Sequence, residues 1–141
     1  MFNRILMALK FAAAAEFALV KGIELARAHD AELSIIHVLD YTLTELDEDD
    51  PIRVNAITNA ERQYASKIQP LLGELEKVSF TCLPSDPALA VCKMARDINA
   101  DLIILGCHQL PEKMCLGRVD YVGMTILEKA PCPILLVPLC E

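Results

Sequence analysis

A chain of 141 residues is one domain by length, 1–141, and long enough to bury a core. With 54 % hydrophobic and 23 % charged residues it is globular rather than disordered, and its apolar runs are far too short to span a bilayer. A formal charge of −7, with Lys and Arg scattered singly, leaves no basic stripe to release counterions, so DNA and RNA are excluded as expected partners.

Met1 to Leu9 is apolar but has no basic region, long apolar core or small-residue cleavage site, so it is not read as a signal peptide. The expectation is a cytoplasmic protein with no membrane insertion. Arg4 to Leu9 reads as a short apolar strand. Ala12 to His29 follows as a helix, with Ala15, Leu19, Ile23 and Ala26 on one face at spacings of three and four. Glu32 to Leu39 is the second strand.

Asp40 to Asp50 reads as a polar loop ending in an acidic run, a solvated face. Pro51 starts the next helix, where its missing N–H would be unpaired anyway. Ile57, Ala60, Tyr64, Ile68 and Leu71 form its stripe, which Pro70 should kink or end; Gly73 then marks a turn. Val78 to Leu83 alternates as an edge strand. Asp86-Pro87 is an N-cap with a first-turn proline, leading a helix with Ala88, Val91, Cys92, Ala95 and Ile98 on its inner face.

Leu102 to Leu105 is apolar on both faces, as in a buried parallel sheet. Val119, Val122, Gly123, Ile126, Leu127 and Ala130 recur at helical spacing, and Ile134 to Val137 is the last strand. Asp30 and Asn99, each before an alanine that leads into a strand, fit turns between helix and strand. The pattern is an α/β chain: a single-domain, open five-stranded parallel sheet with helices on both faces, joined by right-handed crossovers. Strands one and four belong at its centre. The switch point between them is where ligands bind, at the C-terminal strand ends.

Six cysteines, Cys82, Cys92, Cys107, Cys115, Cys132 and Cys140, form no Cys-x-x-Cys pair, so zinc-ribbon and thioredoxin-like spacings are absent. A metal site of Cys107, His108 and Cys115 would need a tighter chelating pair, and none is expected. Cys107 or Cys115, if exposed, would serve a thiol-based redox sensor. His37, inside an apolar strand, reads as a hydrogen-bonded core histidine, and His29 falls at a helix end, where it favours the helix dipole. No serine or carboxylate stands in triad spacing with His108, so no enzyme activity is expected.

Taken in order, Arg4-Ile-Leu-Met-Ala-Leu-Lys10, Ala31-Glu-Leu-Ser-Ile-Ile-His37-Val38, Asp86-Pro87-Ala88, Ala100-Asp101-Leu-Ile-Ile-Leu-Gly106 and Ala130-Pro-Cys-Pro-Ile-Leu-Leu-Val-Pro138 resemble the universal stress proteins over essentially the whole chain. The resemblance implies a Rossmann-like sheet in the order 3-2-1-4-5. It also implies a homodimer joined through the last strand, here Ile134, Leu135, Leu136 and Val137, where a bare apolar edge invites pairing.

In the branch of that family that binds ATP, the first strand ends in an aspartate, and the fourth runs into Gly-x2-Gly-x9-Gly-Ser/Thr. The backbone N–H groups of that loop cradle phosphates at a helix start. Gly106 matches the first glycine. Gln109 stands at the second, Val119 or Asp120 at the third, and Asp120 or Tyr121 at the hydroxyl position. Gly117 and Gly123 lie out of register, Pro111 restricts the loop, and Lys10 replaces the aspartate. A carboxylate at Asp120 would meet a phosphate at a cost on the order of 1 kcal/mol or more.

The chain therefore resembles the branch that does not bind ATP, and His108-Gln109 resembles that branch directly. The expected function is regulatory and stress-adaptive, with no cofactor and with protein partners. The alternative is an ATP or AMP module of different geometry. Its crevice positions would be Lys10, with its charge on a phosphate, Val38 near the adenine, Gly106, His108, Gln109 and Asp120.

Overall fold

The structure, a computed structural model, describes residues 1–10, 15–108 and 121–139. Five strands, β1 Arg4–Ala8, β2 Glu32–Leu39, β3 Val78–Pro84, β4 Leu102–His108 and β5 Ile134–Leu139, form one parallel sheet in the order β3-β2-β1-β4-β5. The central strand β1 pairs with β2 (Ile5 with Leu33) and with β4 (Ile5 with Leu102). The sheet thus turns in two directions from β1, as the sequence pattern and the resemblance both imply.

Side chains of a strand alternate between faces, and this alternation divides the core. Ile5, Met7 and Leu9, with Leu33, Ile35, Leu102, Ile104 and Val137, pack on one face against α1 (Glu16–His29) and against Ile68 and Leu72. Leu6, Ile36, Ile103 and Leu105 pack on the other face against α4 (Pro87–Asp97) and α5 (Tyr121–Lys129). Ile5, Leu6, Ile103 and Ile104 have no exposed surface. A strand covered on both sides has to be apolar at every position, which is why β1 and β4 carry unbroken aliphatic runs.

The first helix buries Ala18, Leu19, Gly22, Ile23 and Ala26. It closes at Asp30, whose φ of 52° is left-handed, with the Ala31 N–H bonded to the Ala26 oxygen at 2.9 Å. Asn99 (φ 53°) closes the end of α4 in the same way, with the Ala100 N–H on the Ala95 oxygen. The start expected for the first helix at residues 12–14 lies outside the described residues.

Three local expectations are corrected. The loop after β2 contains a 3-10 helix, Tyr41–Glu45, started by the Asp40 carboxylate, which accepts from the Thr42 N–H at 2.8 Å. That hydrogen bond, with a second donated by the Thr42 hydroxyl at 2.8 Å, holds the Asp40 carboxyl below its ordinary value.

The regular part of the helix of Pro51 is interrupted before Pro70, as expected, but the helix continues past the proline. It runs as α2 (Pro51–Gln63), widens into a π segment (Tyr64–Ile68), and ends as α3 (Gln69–Leu72) at Gly73, φ 59°. A proline clashes with the carbonyl four residues back. Here that residue is Ser66, inside the widened segment. A wider turn also shifts the stripe by one residue: Leu72 is buried and the expected Leu71 is exposed.

The third correction is to β4. It extends three residues past the apolar run, so His108 is its last residue rather than lying beyond it. The reason is that β5 continues too, and Val137, Pro138 and Leu139 pair with Gly106, Cys107 and His108. Apolar runs mark how far a strand is buried, not how far it is paired. On α5, Leu127 is exposed at 42 % rather than inward. Among the described residues no helix is long and apolar enough to cross a membrane.

Candidate functional site

The strand order opens a crevice where β1 and β4 diverge in connection, at the C-terminal strand ends. Its floor and walls are residues 7–10 of the end of β1, Ile36 and Val38 of β2, and Leu105 and Gly106 of β4. Above them stand Ala15 and Ala18 of the α1 end, Pro87 and Val91 of α4, and Val122, Gly123 and Ile126 of α5. The crevice, open to solvent on one side, has a volume of about 110 Å³.

Lys10, Val38 and Gly106 thus meet around one cavity. His108 is placed only by its backbone, at the end of β4, and its side chain, like that of Cys107, lies outside the described residues. Gln109 and Asp120 lie outside them altogether, as do Cys115 and Cys140. The residues that sequence reasoning missed are the helical walls: Ala15, Ala18, Pro87, Val91, Val122 and Ile126. Small residues at 15 and 18 were a usable signal, since they leave room under a helix start. Gly123, out of register with the phosphate pattern, lines the cavity nonetheless.

Apart from Lys10, each of these described walls carries an aliphatic or thioether side chain, proline or glycine. Lys10 is exposed and makes no ion pair among the described residues. The backbone at the end of β1 is already engaged. The Leu9 N–H donates to the Ile36 oxygen at 2.9 Å, and the Leu9 oxygen accepts from His37 Nδ1 at 2.8 Å. His37 is therefore half-buried and hydrogen-bonded, tying the strand end that carries Lys10 to the strand that carries Val38.

His29 is the last residue of α1, at the helix end as expected, and its Nδ1 accepts the Phe2 N–H at 3.2 Å, with the two rings tilted together at 5.2 Å, so it also holds the N-terminal segment. Among the described residues no group of His, Cys, Asp and Glu is placed to hold a metal ion. Burial, with the charge of Glu61, pushes the Cys82 thiol from 9.0 up to about 11. Burial likewise raises Cys92 and Cys132, so these thiols stay protonated, the unreactive form.

A model of the universal stress protein family matches residues 1–138. The universal stress protein Sll1654 of Synechocystis is 25 % identical over 143 residues, covering 98 % of this chain and 87 % of its own length. Among solved structures, the universal stress protein UspA of Lactobacillus plantarum superposes with a TM-score of 0.76 at 18 % identity, covering 96 % of this chain and 97 % of its own. The universal stress protein of Archaeoglobus fulgidus in complex with dAMP gives a TM-score of 0.68 at 20 % identity, covering 95 % of this chain and 96 % of its own.

Proposed function

The chain belongs to the universal stress protein family, and from that premise we propose a non-enzymatic regulatory role in stress adaptation, exercised in the cytoplasm by a homodimer without a working ATP phosphate loop. The observation that carries this reading is the chemistry of the crevice. Lys10 stands at the end of β1 where the ATP-binding pattern has an aspartate, and the surrounding described walls are apolar. Gln109, where the pattern has its second glycine, and Asp120, where it has its third glycine or its hydroxyl residue, support it from the sequence.

The dimer would form through β5. It is the outer strand of the sheet, and Leu135 on it is 38 % exposed; an apolar edge of this kind seeks a pairing strand. Sedimentation velocity at micromolar concentration is expected to give a dimer that Leu135→Glu dissociates. A wild-type monomer would overturn the dimer.

Calorimetric titration with Mg-ATP, with nucleotide extraction from the same preparation, tests the rest. No heat and no carried nucleotide are expected. Micromolar binding would overturn the reading.

A second reading, an adenine-nucleotide module of different geometry, is favoured by one observation: Lys10, Val38 and Gly106 converge at the switch point. It would use those three with His108, Gln109 and Asp120, and the relative that holds dAMP makes AMP the nucleotide to titrate beside ATP.

A further inference from the structure

We propose that the switch-point crevice binds a small amphipathic carboxylate, its apolar body in the cavity and its head on Lys10. This rests on the reading above that the crevice is not an ATP site, and it names the ligand class that such a crevice selects.

The walls decide what kind of body enters. Met7, Ile36, Val38, Val91, Leu105 and Val122 present no hydrogen-bonding side chain to it. The polar backbone of Leu9 is already paired with Ile36 and His37. The described walls offer the polar groups of a sugar or a purine no side-chain partner but Lys10, and each buried unpaired group costs affinity. A hydrocarbon body gives up no hydrogen bonds on entry.

Size sets a second limit. Apolar cavities of about 150 Å³ admit a benzene ring, so a crevice of about 110 Å³ takes a body of about four or five carbons.

Charge decides the head. Lys10 is a compact cation with three donors and no ionic partner among the described residues. One cation matches one negative charge. The chain as a whole carries −7, and its field repels a polyphosphate more strongly than a monoanion.

The test is an amide NMR titration of the full-length protein with hexanoate and, separately, with hexan-1-ol, which has the same chain and no charge. Saturable shifts are expected at the amides of Val38, Gly106 and Gly123. Hexanoate should bind about fivefold more tightly than hexan-1-ol, the gain of a partly exposed ion pair. Lys10→Gln should abolish that preference and leave the binding of the alcohol intact. Val122→Phe should fill the cavity and remove both ligands. Val38→Phe fills it from β2, should Val122→Phe fail to fold.

Equal binding of the two ligands, a preference that survives Lys10→Gln, or binding that survives both folded phenylalanine variants would each overturn the proposal. Mg-ATP titrated in parallel separates the two levels. Shifts of the same amides by Mg-ATP would sink the non-ATP reading itself. A spectrum that neither ATP nor hexanoate moves would sink the carboxylate alone.

Discussion

Replacing Asp101 by alanine should destabilise the fold by about 2 kcal/mol, although the residue lies at the surface. Its carboxylate accepts the Asn3 N–H at 2.7 Å and the Arg4 N–H at 3.1 Å. Those are the backbone donors just before and at the first residue of the central strand. The Asp101 N–H in turn donates to the Arg4 oxygen at 2.9 Å, so one residue closes the start of β1 onto β4. Hydrogen bonds to a charged group are worth about 1.5–3 kcal/mol when desolvated. These are exposed, and water can replace the lost acceptor, so about 1 kcal/mol each is the better figure. Asp101→Asn keeps one acceptor oxygen and no charge and should lose about 1 kcal/mol.

Urea unfolding at fixed protein concentration, followed by far-UV circular dichroism, measures this as a fall in midpoint with an unchanged slope. In thermal unfolding, about 2 kcal/mol corresponds to roughly 7 °C at this chain length. The control is the Arg4–Glu32 ion pair, 3.7 Å long with both side chains at least half exposed, whose removal should cost under about 1 kcal/mol. If Asp101→Ala falls within about 0.5 kcal/mol of wild type, the backbone clamp contributes nothing and the reasoning is wrong.

Three further outcomes are expected. Ile104→Ala, at a position with no exposed surface between α1 and the sheet, should cost about 2–5 kcal/mol in the same urea assay, whereas Leu89→Ala, 63 % exposed, should stay within about 0.5 kcal/mol. Asp86→Ala removes the cap whose oxygen accepts the Leu89 N–H at 3.0 Å and should cost about 1 kcal/mol, with Asp86→Ser recovering most of it. Alkylation of Cys82, mapped by mass spectrometry, should stay slow through pH 9 and quicken only toward pH 11. The folded thiol holds its proton to about 11, against 9.0 ordinarily. Its contribution to stability is therefore fully present below pH 9 and lost as pH rises through 11. Rapid alkylation of folded protein at pH 8 would contradict the burial that raises it.

Much of the architecture was legible in the residues because periodicity is a local record of burial. Unbroken aliphatic runs in β1 and β4 announced strands covered on both faces, and the three-and-four spacing of Leu19, Ile23 and Ala26 announced the inner face of α1. The same local signal misled where a second force intervened. The π segment before Pro70 moved the buried position from Leu71 to Leu72. Pairing with β5 carried β4 on to His108 after its apolar run had ended. Of the candidate site, Lys10, Val38 and Gly106 could be named in advance because the resemblance to the family places its nucleotide site at these strand ends.

The sequence by itself determined the α/β alternation, the apolar central strands, Gln109 in place of the second phosphate-loop glycine and the lysine at the end of the first strand. All of these are properties of neighbouring residues. Only the tertiary structure decided which helix ends wall the crevice, how large and how apolar it is, and that Asp101 holds the backbone of residues 97 and 98 positions away. Contacts of that kind depend on how separate elements pack, and no periodicity records the distance between chain segments that meet only after the sheet has formed.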